Sequence, residues 1–279
     1  MTSPSDTGCL LSPIRPGPVY QIWLLITRPP LPAKHPIDSL VRCTFRDNLF
    51  TYLGGAVANI GTGSPRFVNC KFNHNGGTPD EEPGRQAIQG LAGAAFYNPD
   101  GSPTFVNCLF YENTAMEGGA IASLRGTVTL VNCTLVENMA EFGHAGALFD
   151  NQGKAIIKNS ILWNNVSVKY DTDEVYNDTG TTTITYSNIE GGWTGTGNIN
   201  SDPKFVNAEA DDYRIGGPFM HPSPCKDAGN DPSVPADFGD LDWDGNTSEQ
   251  VPFDLTAATS RFSWGNVDIG AFEWTPSEQ

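Results

Sequence analysis

In the stretch "DLDWDGN" (residues 240–246), Asp240, Asp242 and Asp244 alternate and lead into Gly245. Calcium takes six to eight oxygens at about 2.3–2.6 Å, and alternating aspartates on a tight turn can converge on one ion, with Asp237 as a further ligand. Val251 stands where an EF-hand count needs its closing glutamate, so any calcium loop here is of another kind. Acidic, glycine-bearing loops also occur without an ion. Calcium is the one cofactor the sequence suggests.

A second set of carboxylates recurs at one position of a repeat: Asp47, His74, Glu112, Glu137 and Asn164. Stacked about 5 Å apart, Glu112 and Glu137 could hold a cation or share a proton in acid–base work. With Arg125 or Lys154 as a base, they would supply the charges a polysaccharide lyase needs. The plainer reading is a solvated edge whose charges diverge into water, and it is preferred.

What would position these groups is a periodic chain. "FVNCKFNHN" (67–75) returns as "FVNCLFYEN" (105–113) and "LVNCTLVEN" (130–138). Aligned on Cys43, Cys70, Cys108, Cys133, Ser160 and Ser187, the units are 27, 38, 25, 27 and 27 residues apart. The long gap carries "GTPDEEPGRQAIQG", which reads as an inserted loop. A period in the twenties without a helical pattern predicts a solenoid.

Alternation places Val68, Val106 and Val131, the Cys or Ser anchor, and the following Phe72, Phe110 or Leu135 on one inward face. Lys158 is the misfit in the valine position: that coil bends early or the lysine escapes outward. Asn48, Asn75, Asn113, Asn138 and Asn165 are expected at a corner, bonding along the stack. Asn69, Asn107, Asn132 and Asn159 are expected as an outward ladder that could meet sugar hydroxyls or serve structure. The expected fold is all-β: a right-handed parallel β-helix of about six coils over 40–192. A segment or cap, 1–39, precedes it, and an irregular module, 193–279, follows it.

Composition agrees. Gly 30 and Pro 21 with 17% charged residues fit a turn-rich β protein. A formal charge of −16 argues against a nucleic-acid partner. Four of the six cysteines share one repeat position that serine also fills, so they read as small packed thiols rather than a disulfide framework. The longest early apolar run, "VYQIWLLI", is too short to span a bilayer. No signal peptide is readable, and the unmatched start raises truncation of a longer protein as an expectation. His144, standing alone in the sequence, is not expected to be a ligand.

"FRDN", "FNHN" and "FYEN", followed by "GGAV" or "GGAI", resemble the FxxN and GGA[ILV] repeats of polymorphic outer membrane proteins. Their passenger is a pectin lyase-like β-helix associated with adhesion. "SDPKFVN", "SPCKDAGND", "DLDWDGN" and "VDIGAFEW" resemble the choice-of-anchor type Q ending of secreted bacterial β-helix proteins. The resemblances imply an extracellular or cell-surface protein without enzymatic activity, contacting polysaccharide or a surface or matrix component. The alternative is a polysaccharide lyase or glycoside hydrolase acting on acidic polysaccharide, because enzymes of that kind share the scaffold; fold alone does not decide chemistry.

Overall fold

The computed structural model describes residues 10–11, 24–25, 39–48, 54–76, 92–170, 174–217, 221–237, 241, 246–256, 259–262 and 265–275. Its repeats form a parallel β-solenoid of about five turns. Four stacks of short strands make the walls. The first stacks Thr44–Arg46, Lys71–Asn73, Leu109–Tyr111, Thr134–Val136, Ile161–Trp163 and Asn188–Ile189. The second is short: Thr114–Ala115, Met139–Ala140 and Val166–Ser167. The third runs from Val57–Ala58 through Phe96–Asn98, Ile121–Ser123 and Leu148–Asp150 to Val175–Asn177. The fourth runs from Ser39–Val41 to Thr181–Thr185. Leu10–Leu11 and Leu24–Leu25 pair in parallel with the first strands of the first and third stacks. Cys9 and the inserted "GTPDEEPGRQAIQG" lie outside the described residues.

Register is kept from coil to coil, so equal repeat positions become columns: Phe45 pairs with Phe72, Phe72 with Phe110, and Phe110 with Leu135. Rings 45, 72 and 110 stack face to face at 4.6 Å, while Phe67 and Phe105 stack beside them at 5.0 Å. Leu130, Leu135, Ile157, Leu162, Ile184 and Ile189 carry the core onward. Cys43, Cys70, Cys108 and Cys133 are buried free thiols in the same core, as the Cys/Ser exchange implied. Burial pushes the Cys108 thiol well above its usual range.

The alternation expected around the anchor needs correction. Asn69, Asn107, Asn132 and Asn159 adopt left-handed backbone, with φ of 54°, 53°, 51° and 49°. That corner falls between the valine and the anchor, so inward parity resets there. Phe67, Phe105 and Leu130 point in instead, while Val68 and Val106 join an outer cluster with Val234, Val251 and Val267. Lys158, paired with Val131, shares this outer face, which resolves the misfit without any bend.

A second left-handed corner follows in each turn, at Asp47, His74, Glu112, Glu137 and Asn164. It turns the next asparagine inward, where the expected ladder forms. Nδ2 of Asn48, Asn75, Asn113 and Asn138 donates to Oδ1 of the next asparagine at 2.7–2.8 Å, and Asn165 donates to Glu174 at 2.7 Å. The glycine opening "GGAI" is needed as well. Gly118 holds φ +59°, and a Cβ there would sit 2.3 Å from the Ile121 carbonyl oxygen.

The C-terminal residues lie along one flank of the solenoid. Phe205–Asn207 and Asp212–Ile215 form an antiparallel pair, and Tyr213, Leu255, Ala271 and Phe272 cover Leu109 and Val136. The asparagines expected to face outward are therefore buried. Nδ2 of Asn107, Asn132 and Asn159 donates to the carbonyls of Phe253, Asp268 and Asn230 at 2.7, 3.1 and 3.1 Å. They hold this flank in place and are closed to sugar.

Candidate functional site

Glu112 and Glu137, the stacked carboxylates of the repeat, both line one surface depression. Its walls are His74, Glu112, Thr114, Glu137, Asn138, Met139, Asn164 and Val166, and its volume is about 570 Å³. These residues come from the second left-handed corner and the short second stack, so the depression runs across neighbouring coils. Positive φ suits Asn164, but at His74, Glu112 and Glu137 it is strained, with φ of 52°, 51° and 56°. Side chains of these types hold such backbone at a cost of about 1–2 kcal/mol each.

The corner is ordered by contacts across the chain. His74 Nδ1 lies 2.8 Å from Glu112 Oε2, and the His74 ring meets Tyr111 edge-on at 5.5 Å. The Tyr213 hydroxyl donates to Glu137 Oε2 at 3.0 Å, and its ring lies 5.3 Å from Tyr111. Burial raises the Glu112 carboxyl above its ordinary range, with the negative charges of Asp211 and Glu137 adding to the rise and His74 opposing it. Burial and the Glu137 charge likewise push the Tyr213 phenol upward.

Glu112 and Glu137 are thus brought to one edge of the fold, but their proposed bases are not. Arg125 follows Ile121–Ser123, at the corner between the third and fourth stacks, where its guanidinium forks onto Asp100 at 2.7 and 3.2 Å. Lys154 begins the next fourth-stack strand, paired with Thr127 and Thr181. Both lie across the coil from the depression, because matching corners stack on one another and the two corners are separate. The four-residue lyase cluster Glu112, Glu137, Arg125 and Lys154 is not assembled.

Of the calcium candidates, Asp240, Asp242 and Asp244 lie outside the described residues. Asp237 is buried, and its Oδ2 accepts the Leu241 N–H at 2.7 Å. Tyr213 and Asp211 are the site residues that sequence reasoning missed. "DDYRI" reads as an alternating strand, yet nothing in its spacing reveals which coil it docks on. His144, which stands alone in sequence, is stacked between Tyr170 and Tyr176 at 4.2 and 3.8 Å.

Residues 37–191 match the family model described as the right handed beta helix region, and the chain belongs to that family. The match spans the columns described above and gives the solenoid its hand. No curated protein and no solved structure matches the chain. Among the described residues, no helix is long and apolar enough to cross a membrane.

Proposed function

We propose that this right-handed β-helix is a non-enzymatic glycan- or matrix-contact protein that works outside the cell or at its surface. The observation that carries the reading is the open depression with Glu112 and Glu137 on its floor. Carboxylates accept hydrogen bonds from sugar hydroxyls, and Met139 and Val166 offer apolar surface to a sugar face. A shallow acidic trough on a chain of charge −16 favours neutral glycans over uronic-acid polymers, which it repels. The polymorphic outer membrane protein-like repeat and the choice-of-anchor-like ending support the location. The loop from Asp237 to Asp244 is proposed as a calcium loop of the C-terminal module.

A second reading, glycoside hydrolysis, has one observation in its favour. Glu112 and Glu137 occupy matching corner positions just after two adjacent paired strands, about 4.8 Å apart along the stack, and Glu112 is biased toward its protonated form. Lyase chemistry is less supported, because neither Arg125 nor Lys154 reaches the depression.

The test is a panel of neutral and acidic oligosaccharides offered to the purified protein, with binding, reducing ends and unsaturated-product absorbance measured together. Saturable binding of a neutral glycan without product supports the proposal. New reducing ends that vanish in Glu112→Gln would replace it with the hydrolase.

A further inference from the structure

Besides the two glutamates, the acidic corner holds a second donor set. His74, Glu112 and Asp211 each offer one ligand atom, and these atoms lie within 4.8 Å of one another. Their origins are unrelated: His74 and Glu112 belong to consecutive coils, whereas Asp211 ends the short 3₁₀ turn Ala208–Ala210 of the C-terminal flank. Asp212 is engaged by Arg214 at 2.6 Å, while the neighbouring Asp211 carboxylate stands close enough to Glu112 for its charge to act on it. His74 and Glu112 also line the open depression, so an ion has a path in from solvent. Beside them stands Glu137, oriented by Tyr213.

We propose that His74, Glu112 and Asp211 form a zinc-class divalent metal site that fastens the C-terminal flank to the solenoid. One imidazole with two carboxylates is borderline chemistry that suits zinc, whereas calcium prefers an all-oxygen shell. Bonds of about 2.0–2.2 Å put tetrahedral ligand atoms about 3.4 Å apart. The ligand atoms, within 4.8 Å of one another on half-exposed His74 and Glu112 and exposed Asp211, would have to draw in by about 1 Å around the ion. Glu137 or water from the depression completes the four ligands. The edge-on Tyr111 ring holds the imidazole in place. The bound ion neutralises part of the charge that Asp211 and Glu137 impose on Glu112.

The site does not rest on the glycan reading. Zinc binding is measured with no sugar present, so either idea can fail alone. The experiment is calorimetric titration of the whole chain with Zn²⁺, together with thermal unfolding at saturating metal. The expected result is one saturable site and a rise in melting temperature, with calcium unable to compete. Asp211→Asn, an isosteric change at an exposed position, and His74→Ala are each expected to weaken binding at least tenfold and to abolish the rise. A paired Asp240→Asn and Asp242→Asn variant is expected to keep the site. Absence of saturable binding, or binding unchanged in both Asp211→Asn and His74→Ala, would overturn the assignment.

Discussion

Replacing Asn138 by alanine tests the internal ladder on which the acidic corner is built. The Asn138 amide donates to Asn165 Oδ1, the Phe110 carbonyl and the Val136 carbonyl at 2.8, 3.0 and 3.1 Å. Its Oδ1 accepts from the backbone and side-chain nitrogens of Asn113 at 3.1 and 2.8 Å. Some of these partners keep another bond: Asn113 Nδ2 still reaches the Phe72 carbonyl, and Asn165 Oδ1 still accepts the residue 138 N–H. The buried Asn113 N–H loses its side-chain acceptor, which costs about 1–3 kcal/mol. The lost amide contacts and the small void add about 1–2 kcal/mol. The total loss is about 2–5 kcal/mol. Asn48, at the ladder's end, gives up one side-chain bond to Asn75, so Asn48→Ala costs about 1 kcal/mol. Urea unfolding of the three proteins, fitted with a common slope, measures both losses. Equal midpoints for the two variants would refute the claim that the buried rungs hold the corner.

Three further outcomes follow from particular residues. Gly270 has φ +111°, and a Cβ there would lie 2.7 Å from Ile161 Cδ1, so Gly270→Ala is expected to cost about 1–3 kcal/mol and to speed proteolysis within the C-terminal flank before the coils are cut. Asp150 sits in another polar ladder, with Asn98, Ser123 and Asn177, and burial raises its carboxyl to about 6. Because the folded value lies above the unfolded one, its contribution is fully present below about pH 4 and is lost as pH rises through 6; Asp150→Asn should flatten this dependence between about pH 4 and 7.5, as read by melting temperature, at the cost of one acceptor for the Gly153 N–H or the Asn177 amide. Glu137→Asn relieves left-handed strain but gives up the Tyr213 hydroxyl bond, so its urea midpoint is expected to shift by no more than about 1 kcal/mol while glycan binding falls; unchanged binding would contradict the placement of Glu137 in the site.

Much of the solenoid is legible before any coordinates, because a parallel stack repeats each position. Cys70 above Cys43, Phe110 above Phe72 and Asn138 above Asn113 are all implied by the period alone. The valine face is not legible in the sequence because an asparagine with φ near 50° interrupts alternation, and strand parity cannot be carried across a corner. Asn107 and Asn132 were expected to face outward because their partners, Phe253 and Asp268, lie 146 and 136 residues away. The candidate site was half legible. Glu112 and Glu137 recur within the period and so declare their column, whereas Tyr213 and Asp211 arrive from a non-repeating segment. Arg125 and Lys154 were grouped with the glutamates by chemistry, but their place in the turn puts them at a different corner.

The affinity of the purified protein for its best neutral oligosaccharide, compared among three variants by calorimetry, tests the acidic corner most directly. Glu137→Gln and Glu112→Gln are expected to weaken binding at least tenfold with no loss of unfolding midpoint, while Lys154→Ala, at the other corner, leaves it unchanged. Binding that survives both glutamine changes, or that disappears with Lys154→Ala, would contradict the placement of the site at the acidic corner.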